Sequence, residues 1–346
     1  MYKAGISIFN GLKDYNLEDN LAYMERAKEK GIEMLFSSAH IQEANRSYQD
    51  LQVCLEKANQ LGMKLSLDIS KPAYDKMDHL ENLYALRLDY GFTDDDIIQL
   101  SQTAPFFIEL NASTLSNRRF EDLMEKGLNP KRVRVSFNYY PKPYTGHNLL
   151  FCKERTAYYH QYGISVGAFL PSKVGHRPPL YQGLPSIEDH RICSLDSAIE
   201  ELKAIEIDEI YFGDAYASDK ELKQLILHQI ETILLPIQLS TGLPVLYRDY
   251  LKGIYRIRPD FNDRLLRISA HGNCTSFPPF QTTDRKRGDI TIDNQDFLRY
   301  RGEINLVLQA LPKDERVNVV GHIEMSPIIL DEIQKQKPFA FIIGDR

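Results

Sequence analysis

Cysteine is scarce and scattered: the 346-residue chain has four, Cys54, Cys152, Cys193 and Cys274, far apart and without a C-x-x-C. No H-E-x-x-H occurs among its nine histidines. Neither a zinc site nor a disulfide framework is suggested, so no metal and no cofactor is expected. No apolar run approaches the length of a membrane span. The start, Met1-Tyr2-Lys3, leads straight into a strand-like run, without a basic region, an apolar stretch and a cleavage site. The expectation is a soluble cytoplasmic protein with reduced thiols and no membrane partner. A long basic stripe is also missing. The net charge of −6 is spread along the chain, and the densest basic cluster, Asp284-Arg285-Lys286-Arg287, is short. Nucleic acid is therefore not an expected partner.

What is present supports a real core: 43% apolar and 10% aromatic residues over a length that suits two domains. Short apolar runs alternate with helical patterns up to about Leu235. The strand candidates are Lys3–Phe9, Glu33–Ser38, Lys64–Ser70, Ala85–Tyr90, Phe106–Asn111, Arg132–Tyr140, Ile164–Leu170 and Glu209–Asp214. Leu17–Lys30 carries Leu21, Met24 and Ala27 at helical spacing and ends at Gly31. Tyr48–Leu61 ends likewise at Gly62, and Phe120–Lys126 at Gly127. Helix, glycine, strand is the usual αβ connection. Eight such units predict a TIM (β/α)8 barrel over residues 1–235. An open doubly wound sheet is the competitor, weakened because no G-x-G-x-x-G follows the first strand.

Residues 240–346 change character. Short β-like runs at Val245–Arg248, Ile254–Arg258, Leu265–Ala270, Asp289–Asp293, Glu303–Leu308, Val317–His322 and Phe339–Ile343 predict a small β sandwich or closed barrel. The boundary is expected near Leu234–Gly242.

Alternation along barrel strands sets which side chains face the axis. In Leu86-Arg87-Leu88-Asp89 the leucines face the helices, which turns Arg87 and Asp89 inward. The same logic turns in Glu109 and Asn111, then Ser66, Asp68 and Ser70, then Arg134, Ser136 and Asn138, with Ser7 and Ser37. Ordinary barrel filler is aliphatic. Asp68, Asp89 and Glu109 on successive strands therefore read as catalytic or substrate-binding. The competing reading is a structural ion pair of Arg87 with Asp89 or Glu109. His40, after the second strand, could touch a substrate or be merely solvated. Tyr139 and Tyr140 offer aromatic faces for a sugar ring. Asp214 ends the eighth strand, with its facing ambiguous. The long segment from Pro171 to Ile192 carries Lys173, His176, Arg177, Glu188, His190 and Arg191, which could form a lid or hold a phosphate. Arg285, Lys286, Arg287, Arg299 and Arg301 are further phosphate candidates.

Taken in order, these residues resemble a known family. Gly5-Ile6-Ser7-Ile8, Leu67-Asp68, Arg87-Leu88-Asp89-Tyr90-Gly91-Phe92, Ile108-Glu109-Leu110-Asn111-Ala112-Ser113 and Asn138-Tyr139-Tyr140-Pro141 are similar to the 6-phospho-N-acetylmuramidases. So are Glu188-Asp189-His190-Arg191, Gly213-Asp214-Ala215-Tyr216-Ala217-Ser218, and Arg287-Gly288-Asp289-Ile290 with Asn294, Phe297, Tyr300, Gly302 and Glu303. The resemblance implies a TIM barrel followed by a cyclophilin-like β domain. It implies an exo-acting cytoplasmic glycoside hydrolase of peptidoglycan recycling. The substrate would be 6-phospho-N-acetylmuramic acid β-1,4-linked to N-acetylglucosamine.

Glycoside hydrolysis needs one protonated and one ionised carboxyl group. Two of Asp68, Asp89 and Glu109 are expected to form that pair, with Glu109 as acid and Asp89 as its partner; the substrate's own acetamido group is an alternative nucleophile. Substrate contacts are expected from Ser7, Ser37, His40, Arg87, Asn111, Asn138, Tyr140, His190, Arg191, Asp214, Arg287 and Tyr300. The rival classes are a Schiff-base sugar-phosphate aldolase using Lys71, and a non-catalytic sugar-phosphate sensor. The β domain could bind substrate, close over the mouth or mediate a homodimer.

Overall fold

The computed structural model describes residues 1–39, 47–77, 80–260, 262–268 and 276–344. The chain divides into two compact units, Met1–Gln229 and Ile230–Arg346.

In the first unit eight parallel strands close into a barrel in sequence order. They are β1 (Lys3–Ile8), β2 (Met34–Ser38), β3 (Lys64–Ile69), β4 (Ala85–Leu88), β5 (Phe107–Asn111), β6 (Val133–Ser136), β7 (Val166–Leu170) and β8 (Glu209–Phe212). The ring shuts where β1 pairs with β8, Lys3 opposite Glu209 through Ile6 opposite Phe212. The longer helices between the strands bury one face. In Leu17–Glu29, Asn20, Tyr23, Met24 and Ala27 are buried, the i, i+3, i+4, i+7 stripe of a helix laid on a sheet. Its start is fixed by a capping box between Asn16 and Asp19.

The barrel interior is not uniformly aliphatic. One side is filled by Met34 and Phe36 from β2, Phe169 from β7 and Tyr211 from β8. Phe36 meets Phe169 edge to face at 5.0 Å between ring centroids. Gly5 of β1 makes room for this plug, because a Cβ there would lie 2.3 Å from the Tyr211 ring. Gly5→Ala is therefore expected to destabilise the barrel by about 1–3 kcal/mol, as overpacked cores do. Chemical denaturation with unchanged slope would show it, and an unchanged midpoint would mean the ring can yield. The opposite side of the interior, from β3 to β6, is charged and polar.

The second unit is a seven-stranded sheet in the order β10-β15-β9-β14-β12-β13-β11. The strands are β9 (Ile233–Leu239), β10 (Ile254–Tyr255), β11 (Leu265–Ile268), β12 (Asp289–Asp293), β13 (Ile304–Val307), β14 (Val317–His322) and β15 (Phe339–Ile343). Three sequence expectations change here. The region expected to be the domain boundary contains β9, which pairs in parallel with β15 and antiparallel with β14. Val245–Arg248, read as a strand, belongs to the helix Val245–Tyr250, whose N-cap is Pro244. Pro327–Gln334 forms a further helix with proline in its first turn, so the unit is not all-β. No described helix is long and apolar enough to cross a membrane.

Candidate active site

Pairing register puts five buried polar residues in one row across adjacent strands. Ser38 lies opposite Asp68, Asp68 opposite Arg87, Arg87 opposite Glu109, and Glu109 opposite Arg134. None is more than 6% exposed. Arg87 Nη1 donates to Asp68 Oδ1 at 2.7 Å, and Ser38 Oγ donates to Asp68 Oδ2 at 3.2 Å. Arg87 Nε donates to Ser136 Oγ at 3.0 Å, and Nη2 to Asn138 Oδ1 at 2.5 Å. Burial works against the Arg87 charge, and Asp68 and Glu109 outweigh it, leaving the guanidinium more firmly protonated than usual.

Glu109 sits deeper. Ser66 Oγ donates to its Oε2 at 2.7 Å, and Ser136 Oγ donates to its Oε1. Arg134 Nε lies 3.0 Å from Oε2, a charge contact rather than an aligned hydrogen bond, and Arg87 Nε lies 3.7 Å from Oε1. Arg134 also pairs with Glu209 of β8, two strands on, and its guanidinium lies 5.0 Å from the Tyr84 ring centroid. With both carboxyl oxygens engaged by these groups, Glu109 is built as a strut between two arginines. That geometry runs against the expected role of Glu109 as proton donor, since a general acid must present its proton to the leaving oxygen.

Asp89 does not join the row. The strand ends at Leu88; the Asp89 N–H still donates to the Ile69 carbonyl and the Tyr90 carbonyl accepts from the Lys71 N–H, and the chain bends at Tyr90 and Gly91. Asp89 is exposed and lines a cavity of about 260 Å³ with Leu88, Phe92, Leu110 and Arg119. The inward-facing trio expected from alternation is therefore a pair, Asp68 and Glu109. Alternation also misses at β2. Phe36 belongs to the interior plug, so Ser38 rather than Ser37 reaches Asp68. Ser7 and Ser37 are buried, and neither hydroxyl has a partner among the described residues.

Above the row, amides continue the network. Asn111 Nδ2 donates to Asn138 Oδ1 at 3.0 Å, and the Asn138 amide N–H donates to Ser113 Oγ at 2.8 Å. His147 Nε2 lies 2.8 Å from Ser113 Oγ and 2.9 Å from Tyr140 Oη. Burial, with a smaller contribution from Arg155, holds the His147 imidazole below its ordinary range. His147 was not singled out from the sequence, and no local pattern marks it. Tyr139 stands over the plug, edge-on to Phe9, Phe36 and Phe169.

Asp214 lies just past β8 and is fully buried. Its Oδ2 accepts from the backbone N–H groups of Ser172 at 2.9 Å and Leu184 at 3.2 Å, both in the long segment after β7. Its Oδ1 has no hydrogen-bond partner among the described residues. Burial pushes the carboxyl up to about 6, against the opposing pull of His176, the two N–H groups and Arg177. Gly213 permits this seat, because a Cβ there would lie 2.4 Å from the Leu184 carbonyl oxygen. The facing that alternation left ambiguous is thus decided by a loop, not by the strand.

The Glu188–Arg191 motif ties that loop down. Arg191 Nε donates to Glu188 Oε1 at 2.8 Å, Nη1 to the carbonyls of Gln182 and Gly183, and Nη2 to the carbonyl of Tyr140. Glu188 in turn accepts from the N–H groups of Tyr144 and Gly146, each at 2.8 Å. Arg191 and these N–H groups hold the Glu188 carboxyl down at about 2. His190 is buried, with Nε2 3.0 Å from Glu201 Oε2. Both residues expected to touch substrate are instead engaged in loop architecture. Arg287 and Tyr300 belong to the second unit. Arg287 is exposed and donates to the Leu308 carbonyl, and Tyr300 Oη accepts from Arg299. His40 lies outside the described residues.

Lys71 is held by Asp75, Nζ to Oδ1 at 2.6 Å, and this bond raises the amine's affinity for its proton. A Schiff-base lysine needs the opposite shift. Among the described residues no three His, Cys, Asp or Glu side chains gather as a metal site.

Comparison with known proteins adds a family to this geometry. A family model described as 6-phospho-N-acetylmuramidase, N-terminal, matches residues 4–227. Its C-terminal counterpart matches residues 233–342. A solved structure of a conserved Enterococcus faecalis protein of unknown function is 29% identical, with a TM-score of 0.76, covering 98% of this chain and 96% of that one. An uncharacterized B. cereus protein of solved structure shares the fold at a TM-score of 0.83 and 24% identity, covering 99% and 100%. No curated protein matches the sequence.

Proposed function

The chain belongs to the 6-phospho-N-acetylmuramidase family, and from that premise we propose that it hydrolyses 6-phospho-N-acetylmuramyl-β-1,4-N-acetylglucosamine. The products are 6-phospho-N-acetylmuramic acid and N-acetylglucosamine, formed in the cytoplasm during peptidoglycan recycling. The observation that carries the reading is Asp214. It is a buried carboxyl pushed up to about 6, with one oxygen unpartnered among the described residues, at the C-terminal end of a barrel strand. Catalytic groups of this fold come from that end.

Asp214 in its protonated form gives its proton to the glycosidic oxygen as the bond to the anomeric carbon breaks. Positive charge develops on the sugar ring, and a water molecule then adds to the anomeric carbon, its oxygen becoming the new hydroxyl and its proton replacing the one that Asp214 gave. The Asp68 carboxylate, fixed by Arg87 and Ser38, opposes that charge. The Arg87–Asn138–Asn111 chain supplies fixed amides for sugar hydroxyl groups. Tyr139 offers an apolar face for the ring.

The direct test is to incubate the purified protein with the phosphorylated disaccharide and its unphosphorylated twin, and to read the products by mass spectrometry. Cleavage of the phosphorylated form alone is expected. Both sugars remaining whole would reject this substrate.

A further inference from the structure

Most cations on the loop between β7 and β8 are already engaged. Arg191 is taken by Glu188 and three carbonyls. Lys173 Nζ donates to the carbonyls of Arg191 and Cys193. Both His176 ring nitrogens face carbonyl oxygens, of Ser172 and Tyr181. Arg87, on the barrel wall, is held by Asp68.

Arg177 is different. It is 8% exposed, and no carboxylate among the described residues forms an ion pair with it. Its Nη1 donates to the Pro178 carbonyl at 2.9 Å, and its buried Nε has no partner among the described residues. Its guanidinium lies 4.6 Å from the Phe9 ring centroid and 5.6 Å from that of Tyr139. Two aromatic rings on strand ends β1 and β6 therefore hold a cation over the plug. Asp214 feels the charge of Arg177, but its carboxyl accepts from Ser172 and Leu184 instead.

A buried guanidinium without a counter-ion is expensive, and aromatic faces recover only part of that. The cost is explained if the counter-ion arrives with the ligand. We propose that Arg177 is the specificity-determining residue that grips an oxyanion of the bound sugar, phosphate or carboxylate. The planar guanidinium suits either oxyanion, since it can offer two parallel N–H donors. This inference rests on the hydrolase reading for its location and deepens it by assigning the anion grip to one side chain.

The test uses the full chain and the variants Arg177→Met and Arg177→Lys. Binding of glucosamine 6-phosphate, N-acetylmuramic acid and N-acetylglucosamine is measured by titration calorimetry. These probes carry a phosphate, a carboxylate and neither. Wild type is expected to prefer one anionic sugar over the neutral one by about tenfold or more. Arg177→Met should erase that preference, and Arg177→Lys should keep part of it. On the phosphorylated disaccharide, Arg177→Met should raise KM more than it lowers kcat. Its melting temperature should not fall, because no internal ion pair is lost. A preference that survives in Arg177→Met, or one that wild type never shows, overturns the proposal. If wild type cleaves nothing yet its anion preference disappears in Arg177→Met, the hydrolase reading fails and the anion grip stands.

Discussion

Asp214→Asn is expected to lose about 10²–10⁴-fold in turnover of the disaccharide while keeping its fold. The proton for the leaving oxygen must come from a group that still holds it near neutral pH, and burial gives Asp214 that property. The wild-type rate should therefore fall as pH rises through about 6, as the acid is deprotonated. That limb should vanish in Asp214→Asn. An aryl glycoside of the same phosphosugar, with a leaving group that needs no proton, should lose far less. The substitution should affect stability in the opposite sense to turnover. The folded-state value lies above the ordinary carboxylate value, so this group's stabilising contribution is full at low pH and is lost as pH rises through about 6. Above that pH the wild type carries a buried negative charge that the amide removes. The variant should melt no lower than wild type at pH 8. Undiminished turnover of the disaccharide would exclude Asp214 as the acid. Equal losses on both substrates, with a lower melting temperature, would mark it as structural.

The second large effect is on the fold. Arg134→Met leaves Glu109 and Glu209 buried without their shared cation. Breaking a buried pair from one side costs about 3–5 kcal/mol. For a unit of this size that corresponds to a fall in melting temperature of roughly 10 °C. Adding Glu209→Gln to Arg134→Met should recover part of it, since one stranded charge is then gone. Urea denaturation of wild type and the two variants measures the effect, and a loss below about 1 kcal/mol in Arg134→Met would show that the lattice tolerates the gap.

Much of the barrel was legible because its signals are local. Eight apolar runs separated by amphipathic helices need no long-range information to be recognised. In β3, β5 and β6 the alternation Leu65-Ser66-Leu67-Asp68, Ile108-Glu109-Leu110 and Val133-Arg134-Val135-Ser136 correctly indicates which side chains enter the barrel. The rule missed where its premise did. In β2 the aromatic Phe36 is itself interior filler, so Ser37 and Ser38 exchanged sides. Asp89 lies one residue past the strand end, just before a bend at Tyr90 and Gly91, where alternation no longer fixes the facing. Asp214 is oriented by N–H groups from residues 172 and 184, which no pattern at residue 214 could reveal. His190 and Arg191 read as candidates to hold a phosphate because Glu201 and the carbonyls of residues 140, 182 and 183 are not visible as partners in a local pattern, although Glu188, three residues before Arg191, is one. Val245–Arg248 has a strand-like composition, but a proline at its N-cap starts a helix.

The interior of the barrel is divided, with salt-linked strands from β3 to β6 on one side and an aromatic plug beneath a long loop on the other. Heat should not loosen these two sides together. Amide protons of β3–β6 are expected to exchange with deuterium last, near the rate set by global opening. Those of residues 172–184, with fewer ladder bonds, should exchange through smaller openings. Because Asp214 depends on N–H groups from that loop, catalytic competence should disappear at a temperature where the barrel is still closed. Thermal inactivation on this scaffold would then precede unfolding and be reversible on brief heating, with the loop rather than the barrel setting the working temperature limit.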